Sequence, residues 1–248
     1  MRKAVKYGLV KLFGGPLEAL FFRWRLLTLQ VKELLGQPYT ALYAMDKKLE
    51  KYIGFKDGTF IEAGANDGIA QSNTYFLEKK LGWRGLLVEP IPKYYKMCRQ
   101  VRKAKTVNCA LGPFESDGAE LDILSGGLMS IPTTVTDKYL HGRSVQEHAA
   151  FGAREFGSRA PQLIRAKIRA LSNLLDELDI QKIDFFSLDV EGFELEVLKG
   201  LDMNRHRPEF ILIETEQLDE VSGFLSPHYK LIDSLSHHDF LFRRAEAA

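Results

Sequence analysis

The sequence predicts a doubly wound α/β sandwich, with a mostly parallel sheet, an antiparallel edge and a helical amino-terminal extension. Three observations carry that expectation. Short apolar runs ending in an acid recur along the chain, helical segments separate them, and two late runs lie close enough to pair as a hairpin. Strand and helix in alternation bury both faces of a sheet, which a run of strands alone would not do.

The elements follow in chain order. Thr59-Phe60-Ile61 reads as a buried strand running into Glu62 and a glycine-bounded loop, Ala63-Gly64-Ala65-Asn66-Asp67-Gly68. Ser72 to Leu81 reads as the first crossover helix, Leu86-Leu87-Val88 as a second strand ending in Glu89-Pro90, and Lys93 to Lys105 as a helix. That helix holds six basic residues and no acid, the pattern of a solvated face. Thr106 to Leu111 and Leu121 to Leu124 are further strands. From Pro161, the residues Ile164, Ile168, Leu171, Leu174, Leu175 and Leu178 fit a helical period. Ile183 to Asp189 is a strand, Glu191 to Gly200 a helix stopped by its glycine, and Phe210 to Glu214 another strand. Tyr229 to Ile232 and Asp239 to Arg243 close the edge as the antiparallel pair.

A chain of 248 residues with 45% hydrophobic and 27% charged residues buries one full core with room for an extension. We divide it into an extension, 1–36, and a main domain, 37–248, at the Gly36-Gln37-Pro38 turn; 125–162 forms a covering loop or lid. Formal net charge is +1, which gives no whole-protein reason to bind nucleic acid. The only cysteines, Cys98 and Cys109, sit on a helix and a strand and read as free thiols of a reducing, cytoplasmic compartment.

The extension is the compositional anomaly. Arg2, Lys3, Lys6, Lys11, Arg23, Arg25 and Lys32 stand against Glu18 and Glu33, interleaved with leucines and aromatics. Breaks at Gly14-Gly15-Pro16, Arg23 and Arg25 make it too interrupted for a transmembrane helix, and no cleavage site marks it as a signal. Two roles stay open: a peripheral helix on the inner, anionic membrane face, or a helix packed on the main domain or on a second copy in a homodimer.

The glycine loop points to the ligand. A dinucleotide site wants G-x-G-x-x-G opposite a pyrophosphate, and here the later glycines are missing while Glu62 and Asp67 would repel that anion. A ligand with a cationic amine and a ribose but no phosphate fits better, and S-adenosylmethionine is such a ligand. Glu89, about 20 residues beyond the loop, is placed to take the ribose hydroxyls. Glu62, Glu89, Asp189 and Glu214 all fall at strand ends, with Glu191 just past the third, and such a rim suits a cation and a set of hydroxyls.

The segments Glu62 to Gly68, Gln71-Ser72-Asn73-Thr74, Gly82 to Pro90 and Ile183 to Gly200 resemble the FkbM-type methyltransferases, over roughly Phe55 to Phe242. The resemblance implies a Rossmann-like class I methyltransferase that uses S-adenosylmethionine, commonly on hydroxyls of sugars, surface glycans or natural products. By it the loop Glu62, Gly64, Ala65, Asn66, Asp67, Gly68 cradles the methionine moiety, with Ser72 beside it. Glu89 serves the ribose, Asn108, Cys109, Ala110 and Leu111 border adenine beside the cofactor-binding Pro90, and Asp189 stands near the sulfonium. Leu171-Ser172-Asn173 stands where the family pattern has Thr-Leu-Asp, and neither 125–162 nor the extension has a family reading.

Methyl transfer to an alcohol needs a base on the same rim: Asp189, Glu191, Glu214, or a histidine such as His141 or His148 from the covering loop. A Mg²⁺ ion held by Asp189, Glu214 and Glu216 is a metal-assisted variant. His237-His238 reads as a strand-edge pair. Tyr139, Phe151 and Phe156 are candidates to stack on a sugar ring or to form lid core. An NAD-linked oxidoreductase and a non-catalytic membrane-associated module with the same fold are the alternatives.

Overall fold

The computed structural model describes residues 24, 26–31, 33–136, 138, 140, 142–155 and 160–245. Helix α1 takes in the described residues of 24–34. The further helices are α2 (Met45–Ile53), α3 (Tyr75–Leu81), α4 (Pro92–Val101), α5 (Val145–Glu155), α6 (Leu171–Glu177), α7 (Glu194–Leu198) and α8 (Leu218–Leu225). The principal strands are β1 (Thr59–Ala63), β2 (Arg84–Val88), β3 (Lys105–Val107), β8 (Phe185–Leu188), β9 (Phe210–Glu214), β10 (Tyr229–Ser234) and β11 (Asp239–Arg244). They form one sheet in the order β10-β11-β9-β8-β1-β2-β3. Strand β11 pairs antiparallel with β9 and β10, and the other pairings are parallel. This is the doubly wound, mostly parallel sheet with an antiparallel edge that the sequence predicts.

The strands are near-continuously apolar because both sheet faces are covered. Alternate residues feed two cores. Ile61, Leu86, Val88, Phe186, Leu188, Ile211 and Ile213 pack with α6, α7 and α8. Phe60, Leu87, Phe185 and Leu212 pack on the other face with Met45, Leu49 and Ile53 of α2, Phe76 and Leu77 of α3, and Trp83.

A second sheet, in the order β4-β7-β5-β6, covers the carboxyl-end region. Its strands are β4 (Ala110–Leu111), β5 (Glu120–Ser125), β6 (Ile131–Pro132) and β7 (Gln162–Arg169). Three expectations change here. The helix expected from Pro161 to Leu178 is half strand: 162–169 pairs antiparallel with β5 from Gln162 to Lys167, and only α6 is helical. Ile164 and Ile168 fit both the period of a helix and that of a strand, and the cross-strand partners decide between them. The strand expected over Thr106 to Leu111 divides between the two sheets, because Asn108 turns the chain by donating Nδ2 to the carbonyls of Glu89 (2.8 Å) and Pro90 (3.0 Å). The stretch 125–162, expected to be irregular, contains β6 and the eleven-residue α5.

The helix expected from Ser72 begins only at Tyr75, since Ser72, Asn73 and Thr74 are engaged elsewhere. The basic helix ends at Val101, and Arg102 is no part of a solvated face: its side chain is fully buried. Helix α1 lies on the main domain through Leu26 and Leu29, which meet Ile69, Tyr75 and Val101, and the Tyr75 hydroxyl donates to Glu33. No helix among the described residues is long and apolar enough to cross a membrane. Cys98 and Cys109 are both free and buried.

Candidate active site

Strands β1, β2, β8 and β9 end together at one cavity of about 490 Å³, a size that accepts a cofactor-sized ligand. Of the described residues expected at the site, Asp67, Gly68 and Asn108 do not line it, and the others do. The base of the cavity depends on Gly64. Its φ is +83°, and a Cβ there would sit 1.9 Å from the carbonyl oxygen of Asp189. Only glycine lets the β1 turn run against the end of β8 so closely.

Glu62 is held from behind. Its carboxylate accepts from Ser72 Oγ (2.9 Å), the Asn73 amide (2.9 Å) and Thr74 Oγ1 (2.6 Å). Arg102 adds an ion pair at 3.5 Å and bridges to Glu78 of α3, with Nε donating at 3.1 Å. The same guanidinium donates to the Gly68 carbonyl at 3.1 Å. Asp67, expected to face the ligand, instead turns back into its own loop and accepts from the amides of Ile69 (2.9 Å) and Ala70 (2.7 Å). Gly68 faces α4, where a Cβ would meet Arg102 Cγ at 3.0 Å and Cys98 Cα at 3.2 Å. These two residues shape the loop; they are not part of the cavity wall.

Glu89 is buried and accepts from the Asn66 amide (2.7 Å) and the Ile91 amide (2.8 Å). Burial pushes its carboxyl up to about 8, against the pull of those two amides. The loop that approaches the ligand is thereby tied to the acid at the end of β2. Cys109 and Ala110 stand on the adjoining wall, beyond the Asn108 turn.

The opposite side is crowded with acids. Asp189 and Glu214 share a hydrogen bond. Burial and then the neighbouring Glu214, Glu191 and Glu194 raise the Asp189 carboxyl well above the ordinary range. Glu214 is pushed up to about 8 by burial and the nearby Asp239, and Glu194 to about 7 by burial. The Glu194 carboxylate also accepts from the amides of Val190 (3.2 Å) and Gly192 (2.9 Å). Between them, Glu191 adopts a left-handed φ of +55°, a conformation that costs a non-glycine residue about 1 kcal/mol or more.

His148, from the covering segment, completes this side. Gly152 of α5 sits where a Cβ would be 2.5 Å from Met129 Cβ and from the Gly126 carbonyl oxygen, so the helix seats tightly on the turn at Gly127–Met129. That seating carries His148 into the cavity wall, where Nε2 lies 2.8 Å from Glu191 Oε2. His148 Nδ1 is buried and has no hydrogen-bond partner. Phe151 also lines the cavity, with Arg143 stacked over its ring at 4.3 Å. His141, Tyr139 and Phe156 lie outside the described residues.

Sequence reasoning missed Leu42, Tyr43, Leu128 and Met129 as lining residues, since nothing in their spacing marks them. His237 and His238 follow β10 and also line the cavity. Glu214, His238 and Asp239 bring potential ligand atoms within 4.8 Å of one another. The metal set expected from the sequence, Asp189 with Glu214 and Glu216, shares only Glu214 with this cluster.

The model of the methyltransferase FkbM domain matches residues 62–242, which is most of the chain and nearly all of the main sheet. The chain belongs to the FkbM methyltransferase family. Among solved structures, it is similar to the methyltransferase FkbM of Methylobacillus flagellatus KT, with 14% identity and a TM-score of 0.48, over 98% of this chain and 59% of that one. It thus spans about three fifths of that protein. A precorrin-6y C5,15-methyltransferase of Geobacter metallireducens GS-15 has 13% identity and a TM-score of 0.44 over 82% of this chain and 88% of its own. An O-methyltransferase of Bacillus cereus, solved with SAH, has 13% identity and a TM-score of 0.37 over 88% of each chain. No curated protein matches the chain. As an FkbM-family methyltransferase, it carries both the loop and the acidic side of its cavity on segments inside the matched range, and His148 falls inside that range as well.

Proposed function

We propose that this FkbM-family protein moves the methyl group of S-adenosylmethionine to a hydroxyl of a sugar or glycan acceptor. The observation that carries the reading is the pairing, in one cavity, of an acid cluster suited to a cation with a buried imidazole suited to take a proton. The chain's residues fit the donor. Glu89 stands ready for a ribose diol, the Gly64 turn leaves room for a close backbone approach, and Asp189 and Glu214 suit a positive centre. The donor supplies an activated methyl on a sulfonium, which passes to the acceptor oxygen by in-line displacement as the carbon–sulfur bond breaks.

The protein's own share is positioning and proton removal. Glu191 as a carboxylate only accepts hydrogen bonds, so the His148 nitrogen facing it, Nε2, carries the proton. Nδ1 is then the free lone pair; it is buried in the ligand-free protein, so it receives the hydroxyl proton, as the new carbon–oxygen bond forms, only once the acceptor has opened the packing over it. Glu191 orients the ring. Asp189 and Glu214 would hold the positive charge of the donor.

A metal-assisted reaction on a small natural product is the second reading, favoured by the Glu214, His238 and Asp239 cluster. An imidazole in that set suits a transition metal better than Mg²⁺, which prefers oxygen ligands.

Calorimetric titration with S-adenosylmethionine, S-adenosylhomocysteine and NAD, each with and without Mg²⁺ or Mn²⁺, tests both readings. Binding of the two sulfur nucleosides alone supports methyl transfer and directs an acceptor screen to glycans. Binding of NAD, or of no nucleoside, sinks it.

A further inference from the structure

Helix α1 is apolar on two opposite sides, and the main domain uses only one of them. At 100° per residue, Leu26, Leu29 and Glu33 share the side that meets Ile69 and Tyr75. Trp24, Leu27, Val31, Leu34 and Leu35 fall within an arc of about 100° on the other side. They are 47%, 59%, 55%, 87% and 72% exposed. The backbone bond from the Leu35 amide to the Val31 carbonyl, 3.1 Å, keeps Leu35 in helical register with the stripe. Scattered exposed leucines are ordinary on a soluble surface; five large apolar residues in register on a helix already docked by its other side are not.

Charge names the occupant. Residues 1–36 hold seven basic side chains and two acids, a surplus of five positive charges. The whole chain is at +1, so 37–248 carries a surplus of four negative charges. A second copy of this chain would bring a second extension with the same positive surplus, and like charges repel. An anionic bilayer meets both needs, taking the apolar stripe among its acyl chains and the cations among its headgroups.

We propose that the outer face of α1 docks the protein onto an anionic membrane surface. This is independent of the chemistry in the cavity, but not remote from it. Ile69 and Tyr75, on which α1 rests, bracket the 70–73 segment of the cavity wall, and the chain leaving α1 supplies Leu42 and Tyr43 to the same wall.

The test is co-sedimentation of the full chain with vesicles of phosphatidylcholine alone, and with about one third phosphatidylglycerol. Binding to the anionic vesicles, weakened by salt and about tenfold or more weaker on the neutral ones, is the expected result. The double substitution Leu27→Glu with Leu34→Glu should remove it and leave the melting temperature in place, because both side chains project into solvent. The proposal fails if the anionic vesicles do not bind the protein, or if the substituted protein binds them equally well. A dimer by light scattering that the same substitutions dissociate would give the face to a second copy and also overturn it.

Discussion

His148 and Glu191 meet at 2.8 Å from two different layers of the molecule, one on the covering helix α5 and the other in the turn after β8. A bond across layers fixes the imidazole only while α5 is seated. In His148→Gln the ring is lost and the volume roughly kept. The proposed reaction should then slow by about 10²- to 10³-fold in kcat, with donor affinity unchanged. Glu191→Gln should cost less and shift the pH profile, since the ring remains but is no longer oriented by a carboxylate. Single-turnover rates alongside calorimetry would check this, and an unchanged kcat in His148→Gln would remove the base from the mechanism.

Arg102 is the second point of leverage. It is buried with Glu62 and Glu78, and it also donates to Gly68, Ser72 and Thr74. Replacing it with methionine leaves two carboxylates buried near one another without their cation. We expect a loss of about 3–5 kcal/mol of stability. For a chain of this size that is a fall of roughly 10 °C in Tm. Donor affinity should weaken too, because the loop from Gly68 to Thr74 loses its clamp. Urea unfolding with a change under about 1 kcal/mol would show that the network is no such keystone.

The raised carboxyls predict an unusual pH dependence for the ligand-free protein. Glu89 and Glu214 titrate near 8 and Glu194 near 7 in the fold, against about 4.3 in an unfolded chain. Over that interval the folded state binds more protons, so its stability is fullest below the unfolded value and declines as pH rises through 7 and 8. Burial lowers His206 and His238, whose opposite effect is confined to pH below about 6.5. Tm should therefore drop from pH 6.5 to 8.5. The slope should flatten in Glu89→Gln, and S-adenosylmethionine should bind more tightly at the alkaline end, where the acids ionise readily around its charge. A Tm that climbs over this range would contradict the assignment of these carboxyls.

Much of this architecture was legible in the sequence, because buried parallel strands announce themselves. Phe60-Ile61, Leu86-Leu87-Val88, Phe185-Phe186 and Ile211-Leu212-Ile213 send alternate residues to two cores and leave no polar gap. Acids at the ends of those runs stand out by contrast, so Glu62, Glu89, Asp189 and Glu214 could be placed at one rim. The covering layer was harder to read. Strand β7 alternates, but Ile164 and Ile168 also continue into the helical spacing of Leu171 and Leu175, and only pairing with β5 separates the two patterns. Asp67 looked like a ligand for the same reason as Glu62, and only the direction of its bonds to Ile69 and Ala70 shows that it serves its own turn. The basic run before Lys105 concealed Arg102, since a list of charges does not say which one faces inward.

The close contact of Gly64 with the carbonyl of Asp189 also has a bearing on descent. No side chain can be added at that point without driving the loop after β1 and the end of β8 apart, so mutation has little freedom there. Among the described residues, Val145 to Glu155 and the paired strands β5 and β7 have no such glycine contact with the loop. Substitutions in this cover can therefore reshape the mouth of the cavity while the Gly64 contact at its base stays as it is.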